Sequence, residues 1–434
     1  MTSWRHALSV YLDRRVLTVL LLGFASGLPL AMTGGTLAVR LTEQGVSLAG
    51  IGLFALVATP YSIKFLWAPL IDRLPLPGLT RLFGRRRGWM LATQGALIAS
   101  LLALGAADPA TAPWATALLA LIVAFCSASQ DVVIDAYRVE ILDEEQYGAG
   151  AAMVQFGYRV AMLVAGAGAL FLAEYVSWFG VYAAMAGLVG VGVVTVLASP
   201  EPPAAPKPII AAGLSPGRRM AAWARDAVVN PFADMVARHG WTVAAILAFV
   251  LLYKLGDALA GVMANPFYIK MGFTKTEIAS VSKVFGFIAT VFGAFLGGAL
   301  VARMGILRAL LLCGLLQMLS NLMFAAQAVV GHDVDFLILT IAVENLAGGM
   351  GSAAFVAYIS GLCNLAYTGT QYALLSSLAV AGRTVLSSSG GFLVEAVGWV
   401  QFFVFSTLAA LPGLLLLLWM MRRFPPARVT VPAT

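Results

Sequence analysis

Residues 199–219 read SPEPPAAPKPIIAAGLSPGRR, a polar, proline-rich stretch inside an otherwise strongly apolar chain. Five prolines lie between Pro200 and Pro208, and prolines at this density favour an extended linker over a packed element. The polar composition continues to about His239, where a short surface helix can form. We therefore predict a first helical bundle over residues 1–198, a linker over 199–239 and a second bundle over 240–434.

Both halves are too apolar for a soluble protein. Hydrophobic residues make up 61% of the 434 residues and charged residues 11%, whereas about a quarter of an ordinary globular chain is charged. A helix that crosses the bilayer needs about 20 mostly apolar residues, and the alternating pattern of a lipid-facing β-barrel is absent from the sequence. We predict an all-α polytopic membrane protein with two pseudo-symmetric bundles of six transmembrane helices. Helices one to twelve are centred on Gly27, Ala58, Leu97, Val123, Met162, Leu188, Tyr253, Ile288, Leu316, Gly348, Arg383 and Leu411.

The basic residues orient the chain in the membrane. Of the 27 lysines and arginines, only Arg40, Lys270 and Lys275 fall in loops on one side. Five more lie inside helices, and the rest are on the side that holds the linker and both termini. Basic loops stay in the cytoplasm, so we predict that both termini, the linker and the short tail are cytoplasmic. This distribution explains the net charge of +7 by contact with the lipid bilayer, and nucleic acid is not a predicted partner.

The two halves resemble each other in sequence. Gln146-Tyr147 precedes helix five and Gln371-Tyr372 precedes helix eleven, and Arg159 and Arg383 follow at similar positions. Parallel repeats of six helices are typical of major-facilitator transporters. The resemblance predicts the major facilitator fold.

The loop after helix two resembles the signature of the same superfamily. Asp72-Arg73 is followed by Gly84-Arg85-Arg86-Arg87-Gly88, although Ala68 replaces the usual glycine and prolines lengthen the loop. We interpret the arginine run first as a topology anchor. On helix four, Asp131, Asp135 and Arg138 form one polar stripe. We assign Asp72, Arg73, Asp135 and Arg138 to a cytoplasmic gate.

Ionisable residues inside membrane helices are costly, and they usually face a cavity. A guanidinium stays charged and can hold a carboxylate or phosphate through two bonds, so Arg159 and Arg383 indicate an anionic substrate. The alternative is that each arginine caps a carbonyl or pairs with an acid of its own half. We assign substrate binding to Arg159, Arg383, Lys254, Tyr158, Tyr253, Gln155 and Asn345.

Proton coupling needs a carboxyl that can be neutralised inside the membrane, because burial disfavours the charged form and a nearby lysine favours it. Asp257 follows Lys254 at a spacing that places both on one side of helix seven, and Glu344 lies near the middle of helix ten. We assign proton coupling to Asp257, Glu344 and Asp131. The alternatives are a structural salt bridge for Lys254 and Asp257, and a role in the gate for Asp131.

The sequence does not indicate an enzyme. His6, His239 and His332 lie outside the membrane core, and Cys126, Cys313 and Cys363 have no metal-binding spacing. We predict no catalytic residue, no metal and no cofactor.

Six distinctive motifs follow one another along the chain. They are GFASGLPL (23–30), KFLWAPLIDR (64–73), QDVVIDAYRVE (130–140), YKLGDA (253–258), GGMGSAAF (348–355) and TQYALL (370–375). Together they resemble the AmpG-type muropeptide permeases of Gram-negative inner membranes.

The resemblance implies proton-coupled import of anhydro-muropeptides (GlcNAc-anhydroMurNAc-peptides) from periplasm to cytoplasm for peptidoglycan recycling, which feeds β-lactamase induction in some bacteria. Members of the family often extend beyond helix twelve, whereas this chain stops soon after Arg423. Related acetyl-coenzyme A carriers share part of the fourth-helix motif, so another anionic solute, such as acetyl-coenzyme A or a small peptide, is the alternative cargo. We predict no obligate protein partner.

Overall fold

A computed structural model describes residues 9–46, 54–203, 222, 225–274, 277–387 and 389–423. The side chains of residues 55, 262, 279, 283 and 383–387 are outside the described part, and these include the side chain of Arg383.

Ten helices in the described residues are long and apolar enough to cross a membrane, and each contains one of the predicted centres. They confirm the all-α, multi-pass membrane fold. In chain order they are helix one (Arg14–Glu43), helix three (Arg85–Ala106), helix four (Pro113–Ile141), helix five (Glu144–Ala173), helix six (Trp178–Ala198), helix seven (Thr242–Lys270), helix eight (Ser280–Met304), helix nine (Ile306–Val330), helix ten (Val334–Leu362) and helix twelve (Trp399–Arg423).

Helices two and eleven are shorter and interrupted. Helix two consists of α-helical pieces at Thr59–Ile63 and Ala68–Arg73, with a 3₁₀ turn at Lys64–Leu66 between them. Pro60 and Pro69 stand in the first turn of each piece, where a missing backbone N–H is tolerated. Helix eleven runs over Thr368–Ser387, and a short helix at Gly390–Val397 follows it. The count of twelve transmembrane helices stays a prediction.

Helices one and seven are each broken within the apolar span. Helix one consists of Arg14–Thr33 and Gly35–Glu43. Helix seven consists of Thr242–Leu252 and Leu255–Lys270, so the break falls at Tyr253 and Lys254. Backbone that leaves the helical pattern at membrane depth is tolerated only where protein or a cavity surrounds it. π-Helical turns, which are frequent at functional sites, also interrupt helix five at Val164–Gly168 and open helix eight at Ile278–Phe285.

The chain folds into two compact units. The N-terminal unit comprises Thr2–Asp234 and Ile359–Ser377, and the C-terminal unit comprises Met235–Tyr358 and Leu378–Thr434, with Met1. The end of helix ten and the start of helix eleven therefore pack with the first half of the sequence. The bundle boundaries expected from the linker stay a prediction.

Close helix contacts through glycine hold the N-terminal unit together. A Cβ on Gly157 of helix five would lie 2.1 Å from the carbonyl oxygen of Leu20 in helix one. A Cβ on Gly23 would lie 2.4 Å from the carbonyl oxygen of Val154. Small residues allow this backbone approach, and in a membrane the dispersion contacts that follow are a main source of helix association.

In the C-terminal unit a similarly close contact joins helices eight and ten. A Cβ on Gly293 would lie 2.2 Å from the carbonyl oxygen of Leu346, and one on Gly349 would lie 2.2 Å from that of Thr290. Buried aromatic rings fill the neighbouring space: Phe267, Phe324, Phe402 and Phe403.

Polar side chains, among them the buried Arg40, cap three helix ends of the N-terminal unit. Arg40 is buried and donates to the carbonyl groups of Leu104, Gly105 and Ala107 at the end of helix three. At the other end of helix three, Glu201 accepts from the backbone N–H groups of Arg86 and Arg87. Arg14 and Arg87 donate to the last carbonyls of helix six, those of Val196, Leu197 and Ala198. Cationic caps at C-terminal ends also match the helix dipole.

Candidate transport site and latch

Lys254 is the centre of a polar cluster in the C-terminal unit. It lies at the break in helix seven, so its ammonium group reaches across to helices nine and ten. Its Nζ lies 3.6 Å from Oδ2 of Asp257, 3.2 Å from Oε1 of Gln317 and 3.0 Å from Oγ of Ser352. The carbonyl of Gly348 is 3.4 Å away. One lysine therefore links helices seven, nine and ten.

Glu344 and Asn345 extend this cluster along helix ten. Nδ2 of Asn345 donates to Oε2 of Glu344 at 2.7 Å, and its Oδ1 accepts from the hydroxyl of Thr290 at 2.7 Å. Glu344 also interacts electrostatically with Asp257 and Lys254. The structure thus brings together Lys254, Asp257, Glu344 and Asn345. The side-chain contacts of Asn345 with Thr290 and Glu344 are to protein groups, and they hold it in place beside Glu344.

Tyr253 has its described contacts inside the protein. Its hydroxyl donates to the carbonyl of Leu310 at 3.0 Å, and its ring stacks on Phe355 with centroids 5.3 Å apart. The ring is buried. The role of Tyr253 in substrate binding stays a prediction. It requires the contacts of Tyr253 with Leu310 and Phe355 to separate, so that a substrate can reach the side chain.

The polar stripe of helix four has two parts with different partners. Asp135 pairs with Lys64 at 3.6 Å and with Arg138 at 3.5 Å. Asp131 instead accepts a short hydrogen bond from the hydroxyl of Ser26 on helix one, and its carboxylate makes no ion pair with a described residue. Lys64 of helix two, which the site assignment from sequence left out, therefore pairs with this stripe. Its signal was an ionisable residue inside a membrane helix.

One hydrogen bond joins helix one to helix four, and another joins helix seven to helix ten. Ser26 lies twelve residues after Arg14, as Lys254 lies twelve residues after Thr242. Asp131 lies eighteen residues after Pro113, as Ser352 lies eighteen after Val334. The Ser26–Asp131 and Lys254–Ser352 hydrogen bonds therefore lie at similar distances from the starts of their helices. The first of these bonds includes an acid and the second a base.

The predicted anion-binding residues of helix five lie on its exposed and half-buried faces. Arg159 is exposed and Tyr158 and Gln155 are half-buried. Tyr158 interacts electrostatically with Asp131 and Tyr61 as well as with Arg159. Among described residues, Arg159 has no ion pair. Arg383 lies on helix eleven, and its side chain falls outside the described part.

Asp72 binds the start of helix eleven within the N-terminal unit. Its carboxylate accepts from the backbone N–H of Gly369 at 3.1 Å and from the N–H and hydroxyl of Thr370 at 2.6 and 2.7 Å. The same carboxylate lies 2.8 Å from Nη2 of Arg86. A carboxylate at a helix N-terminus satisfies free N–H groups and favours the helix dipole. Asp72 therefore joins helix two to helix eleven, and we call this set of contacts the latch.

Arg86 is the buried centre of the latch. Its guanidinium bonds both oxygens of Glu140 at the end of helix four as well as Asp72. Neighbouring Arg85 donates to the carbonyl of Asp72 at 2.7 Å. The arginine run thus does more than anchor the topology. Sequence reasoning missed Glu140, and the only available signal was that it closes the fourth-helix motif.

Arg73 contacts the linker and not helix four. Its Nε lies 3.1 Å from Oδ2 of Asp226, and its guanidinium carbon lies 4.5 Å from the centroid of the Tyr367 ring. Arg138, assigned to the same gate, donates to the hydroxyl of Ser360 at 3.0 Å and lies over the ring of Tyr372. Three of the four assigned gate residues, Asp72, Arg73 and Arg138, thus engage helix ten, helix eleven or the linker by separate routes. The fourth, Asp135, pairs with Lys64 of helix two and with Arg138.

No group of His, Cys, Asp and Glu in the described part of the chain could hold a metal ion.

The sequence of this chain is similar to those of known membrane transporters. The Major Facilitator Superfamily model matches residues 19–326 and, again, 248–434. The chain belongs to the major facilitator superfamily. It is 42% identical over 417 residues to the anhydromuropeptide permease of Escherichia coli K12, covering 95% of this chain and 80% of the relative. It is 35% identical to a putative AmpG 4 transporter of Rickettsia conorii, covering 95% of this chain and 97% of the relative.

Solved structures show the same fold at low sequence identity. The proton:xylose symporter XylE aligns with a TM-score of 0.64 at 13% identity, covering 97% of this chain and 96% of the symporter. A bacterial homologue of the iron transporter ferroportin aligns with a TM-score of 0.63 at 15% identity, covering 93% and 98%. Within the superfamily, the sequence identities place the chain in the AmpG-type muropeptide permease family. It is a membrane transporter and not an enzyme.

Proposed function

We propose that this major-facilitator protein imports anhydro-muropeptides from the periplasm to the cytoplasm for peptidoglycan recycling, across a bacterial inner membrane and with protons. The observation that carries the proposal is the 42% identity to the anhydromuropeptide permease of E. coli over 95% of the chain. Such identity extends over both repeats and the linker, so it includes every element that could contact a substrate.

The charges of the membrane helices support an anionic cargo. Arg159 is exposed on helix five, and a guanidinium recognises a planar carboxylate through two parallel bonds. Anhydro-muropeptides carry peptide carboxylates and sugar rings, and the half-buried Tyr158 beside Arg159 offers a surface on which a sugar can stack. Arg383 takes the equivalent place in the second repeat.

For proton coupling we propose that Glu344 and Asp257 share the ammonium group of Lys254. With Lys254 near Asp257 at 3.6 Å, Glu344 is the acid without a direct lysine bond, and it accepts from neutral Asn345. A proton that enters at Glu344 removes one negative charge from the cluster, and Asp257 is then the charged acid that remains beside Lys254.

Alternating access would use the latch. The contacts of Asp72 with Gly369 and Thr370 hold the start of helix eleven, and they must break when the cytoplasmic side opens. A ligand can drive this change only if it binds the two facings with different affinity.

The test is uptake of labelled anhydro-muropeptide into proteoliposomes. We expect Glu344→Gln and Asp257→Asn to abolish uptake driven by a pH gradient, while counterflow of substrate at equal pH continues. Asp335→Asn is the matched control, because Asp335 is an exposed acid in the first turn of the same helix ten. Driven uptake that survives both cluster substitutions contradicts the coupling assignment. Absence of muropeptide uptake by the wild-type protein, with uptake of labelled acetyl-coenzyme A in its place, contradicts the cargo.

A further inference from the structure

The helical part of the linker has an exposed apolar face. Val229, Phe232 and Val236 are spaced at i, i+3 and i+7, which places them on one side of a helix. They are 51%, 43% and 54% exposed. We call these three residues the outer stripe. We propose that the outer stripe lies in the interface of the membrane leaflet on the linker side, among the headgroups and upper acyl chains of anionic phospholipids.

The opposite face of the same segment is bonded to the N-terminal unit. Asp226 pairs with Arg73 at 3.1 Å. Asp234 accepts from Nδ2 of Asn364 at 2.8 Å and from Nε2 of Gln371 at 2.9 Å, while the carbonyl of Pro231 accepts from Gln371 as well. These bonds fix the rotation of the linker helix, Asn230–His239, about its axis. The outer stripe is therefore held away from the protein, because the bonded face is already occupied.

The position of the linker helix along the chain identifies what the stripe meets. Gly240, with φ of +54°, ends the linker helix, and helix seven begins two residues later at Thr242. Trp241 between them is 97% exposed, and tryptophan is enriched at the headgroup level of membranes. The linker helix therefore ends where the chain enters the bilayer, so the outer stripe directly precedes the first membrane span of the second half along the chain.

The charges next to the stripe fit an anionic leaflet. Arg225 precedes the linker helix and Arg238 lies in its last turn. An amphipathic helix with arginine beside an apolar face lies in the plane of the interface, and each basic residue near an anionic surface adds to the attraction. The leaflet would then hold one face of the linker helix, and Asn364 and Gln371 would hold the opposite face. This surface is independent of the cargo that the protein carries.

The test places a nitroxide on the full-length protein in nanodiscs that contain phosphatidylglycerol. Separate variants Phe232→Cys, Val236→Cys and Ala237→Cys are labelled after replacement of the native Cys126, Cys313 and Cys363. Ala237 is exposed on the same helix but outside the stripe, so it is the matched control. Accessibility is measured by collision with oxygen, which enters the acyl region, and with a nickel chelate, which stays in water.

We expect the ratio of oxygen to nickel accessibility at positions 232 and 236 to exceed that at position 237 several-fold. It should fall when phosphatidylcholine replaces phosphatidylglycerol. Equal nickel accessibility at all three positions would overturn the proposal, since the stripe would then face water. Exclusion of both reagents at 232 and 236, relieved when each disc holds one copy, would also overturn it and would identify a second copy of the chain as the occupant. Loss of muropeptide transport in these variants has no bearing on the accessibility ratio, so failure of the proposed function is distinguished from failure of this inference.

Discussion

Asp131 and Asp135 lie one helical turn apart on helix four, yet they have different partners. Asp135 holds Lys64 and Arg138, whereas Asp131 bonds the neutral hydroxyl of Ser26. An acid with two basic partners is committed to structure, because removing it leaves uncompensated charges. Among the groups that the structure describes, Asp131 bonds only a hydroxyl, and its electrostatic interaction with Lys64 is not an ion pair, so it can gain and lose a proton without breaking one.

This difference predicts separate effects of two matched substitutions. Asp135→Asn should lower the free energy of unfolding by an amount toward the lower end of about 3–5 kcal/mol, since the site is only partly buried. Asp131→Asn should leave stability nearly unchanged and reduce uptake driven by a pH gradient. The measurements are thermal unfolding in detergent, followed by the soluble fraction, and uptake into proteoliposomes. Equal loss of stability in both variants would assign Asp131 to the gate.

At the scale of elements, the two repeats use different helix pairs for their closest contacts. Helices one and five meet through Gly23 and Gly157 in the N-terminal unit, and helices eight and ten meet through Gly293 and Gly349 in the C-terminal unit. The glycines were visible in the sequence, but their partners were not. Which faces of two helices meet depends on packing between residues that are far apart in the chain.

Gly157→Ala tests the contact between helices one and five. The added Cβ would lie 2.1 Å from the carbonyl oxygen of Leu20, so the backbones must separate, at a cost of about 1–3 kcal/mol or more. Gly187→Ala on helix six is the control, because nothing lies within 4 Å of its added Cβ and alanine gains up to about 1 kcal/mol over glycine in a helix. We expect a lower unfolding temperature for the first variant and an unchanged or higher one for the second. A drop of similar size in both would show that glycine flexibility, and not close packing, is what position 157 requires.

At the scale of the whole molecule, local patterns were predictable and long-range contacts were not. Ten apolar spans followed from hydropathy, because the requirement for about 20 apolar residues is a property of each segment alone. Helix two is harder, since Pro60 and Pro69 divide it into short pieces. The latch joins Asp72 to Thr370, 298 residues later, and its central Arg86 could be taken for an ordinary topology anchor. Only the weak similarity between the repeats pointed to the ends of helices two and eleven.

The orientation of the molecule is a further property of the whole chain, since it rests on the balance of basic residues between the two sides. Leu82 belongs to the short helix Leu79–Phe83 on the basic side and is 75% exposed, while Ala110 is exposed in the loop between helices three and four. With the basic side in the cytoplasm, a membrane-impermeant maleimide added to intact cells with a permeabilised outer membrane should label Ala110→Cys and leave Leu82→Cys unlabelled. Disruption of the inner membrane should then expose Leu82→Cys.

The unsubstituted protein is the blank, because its three cysteines all lie on or at the end of membrane helices. Labelling of Leu82→Cys in intact cells would invert the orientation, and it would place the latch and the linker helix in the periplasm, where the proposed import could not use them as a cytoplasmic gate.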